Sequence, residues 1–344
     1  MATWNFEKLK TTKSVAINSD LLCLARTPNS EQLWIGSSDF NIYSLDLSAE
    51  KPQPVVLEGH TSYVSGVVLA GKTLISGSWD RKLIWWDAEK RQSIRTVEAH
   101  QRWIRRVVLS PDQSLVASIS DDMTCKLWEV SSGKMLRELN GHELRLPQFD
   151  YGNQLYACTF SPDGNFLAVS DQLCQVIVWE VATGKEAARI DAKQFYRLDL
   201  NDNNFPVGDL RGLVFTPDGE SLALGGARQP DGSDKKGPVV GMVQVYDWKA
   251  GKLTYELKGP TQPGHGNPFE TLWFHPSSEW LLAFPALARQ NSAKTLISIF
   301  DLKEKRSAKD ISSPIPNFGL VASEKADVLY TVGRGTVSKW EFTA

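Results

Sequence analysis

The sequence predicts an all-β protein, and three observations carry that prediction. A pattern of apolar runs returns at a period of 41 to 42 residues: LISGSWDRKLIWWD (Leu74 to Asp87) recurs as LVASISDDMTCKLWE (Leu115 to Glu129), with Trp86 and Trp128 42 residues apart. Within each copy the runs are short, alternating or fully apolar, and rich in β-branched residues. No stretch carries a convincing apolar period of an amphipathic helix.

The repeats follow in order. LWIGSSDFNIYSLD (Leu33 to Asp46) places Asp39 41 residues before Asp80. The copies at Leu74 and Leu115 come next, then looser ones ending at Trp179-Glu180, Tyr246-Asp247, Phe300-Asp301 and Trp340-Glu341. That makes seven. One turn of each repeat is marked by SPDQ (Ser110), SPDG (Ser161), TPDG (Thr216) or HPSS (His275), and the next by SSGK, ATGK or KAGK at Gly133, Gly184 and Gly251. Glycine there supplies the positive φ that a tight turn demands.

Composition bounds the function. The chain has 344 residues, 38 Lys+Arg against 40 Asp+Glu, and a formal charge of -2, so nothing chain-wide favours nucleic acid or an anionic membrane. The N-terminus lacks the apolar core of a signal peptide, and the longest apolar run, Trp280 to Ala288, is about half a membrane span and contains Pro285. Cys23, Cys125, Cys158 and Cys174 are scattered singly, without a C-x-x-C pair, and read as buried free thiols of a reducing cytoplasm.

Gly59-His60, Ala99-His100 and Gly141-His142 each precede a repeat that closes in Trp-Asp or Trp-Glu 26 to 37 residues later. In these features the chain resembles the WD-repeat family, and the resemblance covers essentially its whole length. It implies one domain over 1–344, a seven-bladed β-propeller of four-stranded antiparallel blades. The last repeat ends after its third strand, so residues 1–15 are expected to complete that blade and the N-terminal strand to close the ring.

The resemblance also implies a recurring structural network of His, Ser, Asp and Trp. Carried onto this sequence it is His60, Ser76, Asp80 and Trp86 in one repeat, then His100, Ser118, Asp122 and Trp128 in the next. The fourth repeat keeps His142 and Trp179 but has Leu173 in place of the Asp, and the first has Leu45 in place of the Trp; packing is expected to hold these two. A hydrolase reading of Ser, His and Asp fails because the set repeats at blade spacing, which marks a folding device. His265 falls at the network position of the sixth repeat and His275 in the opposite turn, leaving no histidine for a general base or metal cluster. Neither a catalytic residue, a metal nor a cofactor is expected.

Asp199, Asp202 and Asp209 lie in YRLDLNDNNFPVGDLRG, where hard oxygen ligands would suit calcium, but the spacing matches no defined loop and a solvated turn is the plainer reading. Five long connections, 143–153, 192–208, 227–241, 259–269 and 286–294, fall on one face of the expected disc, where elaborated loops commonly carry function. Residues that in the family point toward the central opening of that face are Tyr63, Ser65, Trp79, Trp103, Arg105, Asp121, Tyr156, Asp209, Arg211 and Glu270. Trp79 and Trp103 are either partner contacts or packed aromatics. Trp34, Trp85, Trp273 and Trp280 read as blade core.

Such a surface suits a protein or peptide ligand, with Arg105 and Arg211 available for acidic or phosphorylated groups. The expectation is a non-catalytic cytoplasmic scaffold, monomeric within a larger complex, with neither nucleic acid nor membrane as partner. The alternatives are an enzyme or small-molecule or metal-binding propeller with its site at the central mouth, and a phospholipid binder, which would need a paired-Arg motif in a late blade.

Overall fold

A computed structural model describes residues 8–144, 153–199, 205–208, 210–228, 240–260, 268–285, 295–313 and 317–342. The chain divides into two compact units, residues 1–99 with 317–344, and residues 100–316. Both are built from antiparallel sheets of a β-propeller.

In chain order the first unit holds β1 (Leu9–Arg26), β2 (Gln32–Ser37), β3 (Ile42–Asp46) and β4 (Val55–Leu57), then β5 (Val64–Ala70), β6 (Thr73–Ser78), β7 (Lys82–Asp87) and β8 (Gln92–Glu98). The second unit continues with β9 (Ile104–Leu109), β10 (Leu115–Ser120), β11 (Cys125–Glu129) and β12 (Met135–Leu139). Next come β13 (Leu155–Phe160), β14 (Phe166–Asp171), β15 (Gln175–Glu180) and β16 (Glu186–Asp191). A hairpin follows, β17 (Tyr196–Asp199) with β18 (Phe205–Gly208). The remaining strands of this unit are β19 (Gly212–Phe215), β20 (Ser221–Arg228), β21 (Val240–Asp247), β22 (Lys252–Lys258), β23 (Phe269–Phe274), β24 (Trp280–Pro285), β25 (Thr295–Asp301) and β26 (Arg306–Ser313). The first unit is completed by β27 (Asn317–Ala322) and β28 (Val328–Phe342).

The expectation of seven four-stranded blades closed by the N-terminal strand is overturned. Among the described residues there are six blade sheets: five of four strands and one of six, ordered β27-β28-β1-β2-β3-β4. The cause is strand continuity. β1 runs unbroken for 18 residues, pairing with β28 from Leu9 to Asp20 and with β2 from Leu21 to Arg26. The last repeat therefore never separates from the first as a sheet of its own. Nor does the N-terminal strand join the chain ends alone, since β27 and β28 enter the same sheet and side chains tie it together. Lys13 Nζ donates to the carbonyls of Leu47 and Ala49 at 2.7 Å, Arg26 meets Glu324 at 2.5 Å, and Lys339 meets Glu31 at 2.6 Å.

Strand position within a blade explains the apolar gradient of each repeat. In β15, Val176, Ile177 and Val178 are all fully buried although successive side chains point to opposite faces. Both faces of this strand are therefore covered, which is why the sequence reads as a continuous apolar run. Fourth strands such as β8, QSIRTVE, are largely exposed and read as polar. The core lies between faces of successive sheets: Leu127 and Ile119 pack with Leu155 and Leu167, and Leu224 and Leu222 with Val176 and Ile190. Burying one Trp or Leu side chain of this kind stabilises by about 1.5–3 kcal/mol.

The turns behave as their chemistry requires. Gly164 and Gly219 in SPDG and TPDG take φ of 73° and 74°, and Gln113 and Ser278 adopt the same left-handed conformation in SPDQ and HPSS. Side chains offset that strain: Ser110 Oγ donates to Asp112 at 2.6 Å and accepts from the Leu115 amide at 2.9 Å.

Candidate functional site

The His-Ser-Asp-Trp sets assemble in two sheets with nearly identical geometry. His60 Nδ1 lies 2.8 Å from Asp80 and Nε2 2.7 Å from Ser76 Oγ, which accepts the Trp86 Nε1–H at 2.9 Å. His100 repeats this with Asp122 at 2.9 Å, Ser118 at 2.7 Å and Trp128 bonded to Ser118 at 2.9 Å. The chain of bonds fixes one tautomer: Nδ1–H donates to the carboxylate, Nε2 accepts from the hydroxyl, and the hydroxyl accepts from the indole. Burial lowers the His100 pKa against the opposing pull of Asp122, in keeping with a neutral ring. Burial alone would raise the carboxyl of Asp80. The His60 Nδ1–H hydrogen bond, with the Thr61 and Lys82 amides, nevertheless holds it below the usual carboxylate range.

Atom for atom this resembles a hydrolytic triad, but Ser76 and Ser118 are fully buried and each hydroxyl already accepts an indole N–H. No substrate carbonyl reaches them, so the sets hold blades together. Among the described residues no three His, Cys, Asp or Glu side chains group to hold a metal ion.

Two sheets expected to rely on packing carry polar networks from shifted positions. In the fourth repeat, Asp171, two residues before Leu173, accepts from His142 Nδ1 at 2.8 Å and from the amides of Leu173 and Gln175. Val169 stands where Ser118 stands in the preceding sheet, so His142 Nε2 is buried with no hydrogen-bond partner among the described residues. In the first repeat, Asp39 accepts from the Ser37 and Tyr43 hydroxyls. Burial and that carboxylate push the Tyr43 pKa up to about 12. Fixed-offset reading misses both substitutes because a side chain two residues away along a strand points to the same face.

The proposed contact residues lie in both units. In the first, Tyr63 leads into β5 and Trp79 follows β6; the Trp79 amide donates to the Tyr63 carbonyl at 2.9 Å and their rings stand 4.6 Å apart. Phe40, which sequence reasoning passed over, adds a ring 5.9 Å from Tyr63 and is 41% exposed. Its signal was an aromatic residue at a turn position with φ of 77°, where small residues are the norm. Ser65 is less available, its hydroxyl lying 3.4 Å from the Gly77 carbonyl.

In the second unit Trp103 is 45% exposed beside β9. Arg105, 5.3 Å from its ring, is held in a two-pronged ion pair with Asp121 at 2.6 and 2.7 Å. Arg105 and Asp121 thus satisfy each other. The first strands β9, β13, β19 and β23 run side by side, and Gly212 makes room for the last two: a Cβ there would come within 2.9 Å of the Glu270 carbonyl. Arg106, also missed, bonds the Tyr156 carbonyl at 3.2 Å and Glu270 at 3.1 Å. The Arg211 guanidinium stacks 4.3 Å over the Tyr156 ring.

Several residues and segments singled out in the sequence lie outside the described residues: Asp202, Asp209, His265, connection 286–294 and the central parts of the other four long connections. Asp199 ends β17, so part of the supposed turn-rich loop is a hairpin preceded by a 3-10 turn, Lys193–Phe195. Trp34 and Trp85 are core, whereas Trp273 and Trp280 are only partly buried.

Blade sheets of this kind, with the repeated His-Ser-Asp-Trp links, define a propeller of WD repeats. The family model described as "WD domain, G-beta repeat" matches residues 51–87, 91–129 and 133–180, and the chain belongs to the WD-repeat β-propeller family. It is similar to the small ribosomal subunit protein RACK1y of Oryza sativa, 33% identical over 36% of this chain and 35% of that one. It is also similar to the nuclear distribution protein PAC1 of Arthroderma benhamiae, 30% identical over 39% of this chain and 30% of that one. A third relative is the eukaryotic translation initiation factor 3 subunit I of Phaeosphaeria nodorum, 28% identical over 62% and 58%. The chain thus spans 35% and 30% of the length of the first two relatives.

Proposed function

We propose that this chain is a non-catalytic cytoplasmic scaffold that binds a protein or peptide, itself monomeric within a larger complex. The observation that carries the reading is Trp103: a large apolar ring 45% exposed, yet held by a guanidinium that Asp121 fixes in place. An exposed aromatic held rigid by its neighbours loses little freedom on binding, which is the character of an interface anchor. Tyr63 and Phe40 offer a second aromatic surface in the first unit, backed by Trp79. Two of the three relatives are by name a ribosomal subunit protein and an initiation-factor subunit, which supports the same class of role.

The test is affinity capture from the native host with wild type and a Tyr63→Ala, Trp103→Ala double variant matched in melting temperature. Loss of the captured partners from the variant is expected. An unchanged partner set would sink the proposed contact surface.

A further inference from the structure

Arg105 and Arg106 lie on β9 and Arg211 just before β19, and among the described residues one of these three lacks a counter-charge. Arg105 is paired with Asp121 and Arg106 with Glu270. Arg211 has no ion pair or side-chain hydrogen bond among the described residues, and its Nε is buried without an acceptor. A second polar atom without a partner among the described residues, the Thr271 hydroxyl, lies buried on the adjoining strand β23. A buried donor left unmatched destabilises the free protein, so a ligand that supplies the acceptor gains affinity.

We infer that Arg211 is the seat for a carboxylate side chain of an acidic peptide, with Arg106 as the neighbouring cation; this rests on the peptide-binding reading above. Stacking on Tyr156 occupies a face of the guanidinium and fixes its plane, leaving in-plane N–H groups for a two-pronged carboxylate contact. Charge selects the ligand. Among the described residues these three guanidinium groups stand with two carboxylates, an excess of one, which a single carboxylate neutralises. A phosphate dianion would overshoot and meet Glu270, whose backbone approaches that of Gly212 next to Arg211. Trp103, just before β9, the strand beside that of Tyr156, supplies apolar contact that a peptide can use and a free acid cannot.

The experiment uses the full chain and a fluorescein-labelled octa-glutamate peptide, with octa-glutamine and a phosphoserine-containing counterpart as comparisons. Binding of octa-glutamate at least tenfold tighter than octa-glutamine is expected. Arg211→Gln should weaken it at least tenfold, while Arg189→Gln, which removes the same charge from the outer strand β16, changes it less than twofold. The Arg211 Nε–H signal, assigned by its loss in Arg211→Gln, should shift on adding octa-glutamate, and melting curves of both variants guard against unfolding. Equal weakening by the two variants, no octa-glutamate binding, or a tenfold preference for phosphoserine overturns the assignment. If octa-glutamate fails while the Tyr63, Trp103 variant still loses its partners, only this inference falls; if both fail, the scaffold reading falls with it.

Discussion

Replacing Ser118 by Ala removes one oxygen and breaks two hydrogen bonds at once. The hydroxyl serves His100 Nε2 at 2.7 Å and Trp128 Nε1 at 2.9 Å, and Ser118 is fully buried, so water cannot take over. A buried polar group left unsatisfied costs about 1–3 kcal/mol, and two groups together cost about 2–6 kcal/mol. The methyl itself fits, so no packing loss adds to this. Urea denaturation should show a lowered midpoint at unchanged slope, with a melting temperature lower by roughly 3–10 °C. Ser118→Thr keeps the hydroxyl and should recover most of the loss, since Thr331 accepts from Trp340 at 3.0 Å in the same way. A Ser118→Ala protein within about 0.5 kcal/mol of wild type would refute the claim that the network contributes to stability.

The converse change, Val169→Thr, offers His142 Nε2 the hydroxyl donor it lacks in a nearly isosteric side chain and should stabilise by about 0.5–1.5 kcal/mol in the same assay; a net loss would show that the position cannot present a hydroxyl to the ring. Acid should act in two stages. His100, buried and kept neutral, has a lowered folded pKa, so the unfolded chain takes up the extra proton and stability declines as pH falls below about 6.5. Asp80 and Asp122 are held below the usual carboxylate range, so their contribution is present above about 4 and is lost as pH falls further through their folded values. Urea midpoints that stay level from pH 7 to pH 5 would contradict the first stage.

Much of this was legible in the residues. The 42-residue period, the Gly and Pro turns and the apolar gradient from inner to outer strands are local in origin, because strand alternation and turn conformation depend on near neighbours. His60 and His100 could be assigned partners for a similar reason: the blade is regular, so sequence offsets translate into distances. Asp171 and Tyr43 escaped because a network can be supplied from either of two positions on one strand face, and only the fold shows which was used. The blade sheets were beyond reach as well. Whether the chain ends form a separate sheet or merge with the first depends on hydrogen bonds between β1 and β28, more than 300 residues apart, and no local pattern records them. The contact surface divides along the same line. Sequence marked Trp103, Arg105, Asp121 and Arg211 by position, but the pairing that neutralises Arg105 and, among the described residues, leaves Arg211 without a counter-charge is a matter of which side chains meet in space, and tertiary structure alone decides that.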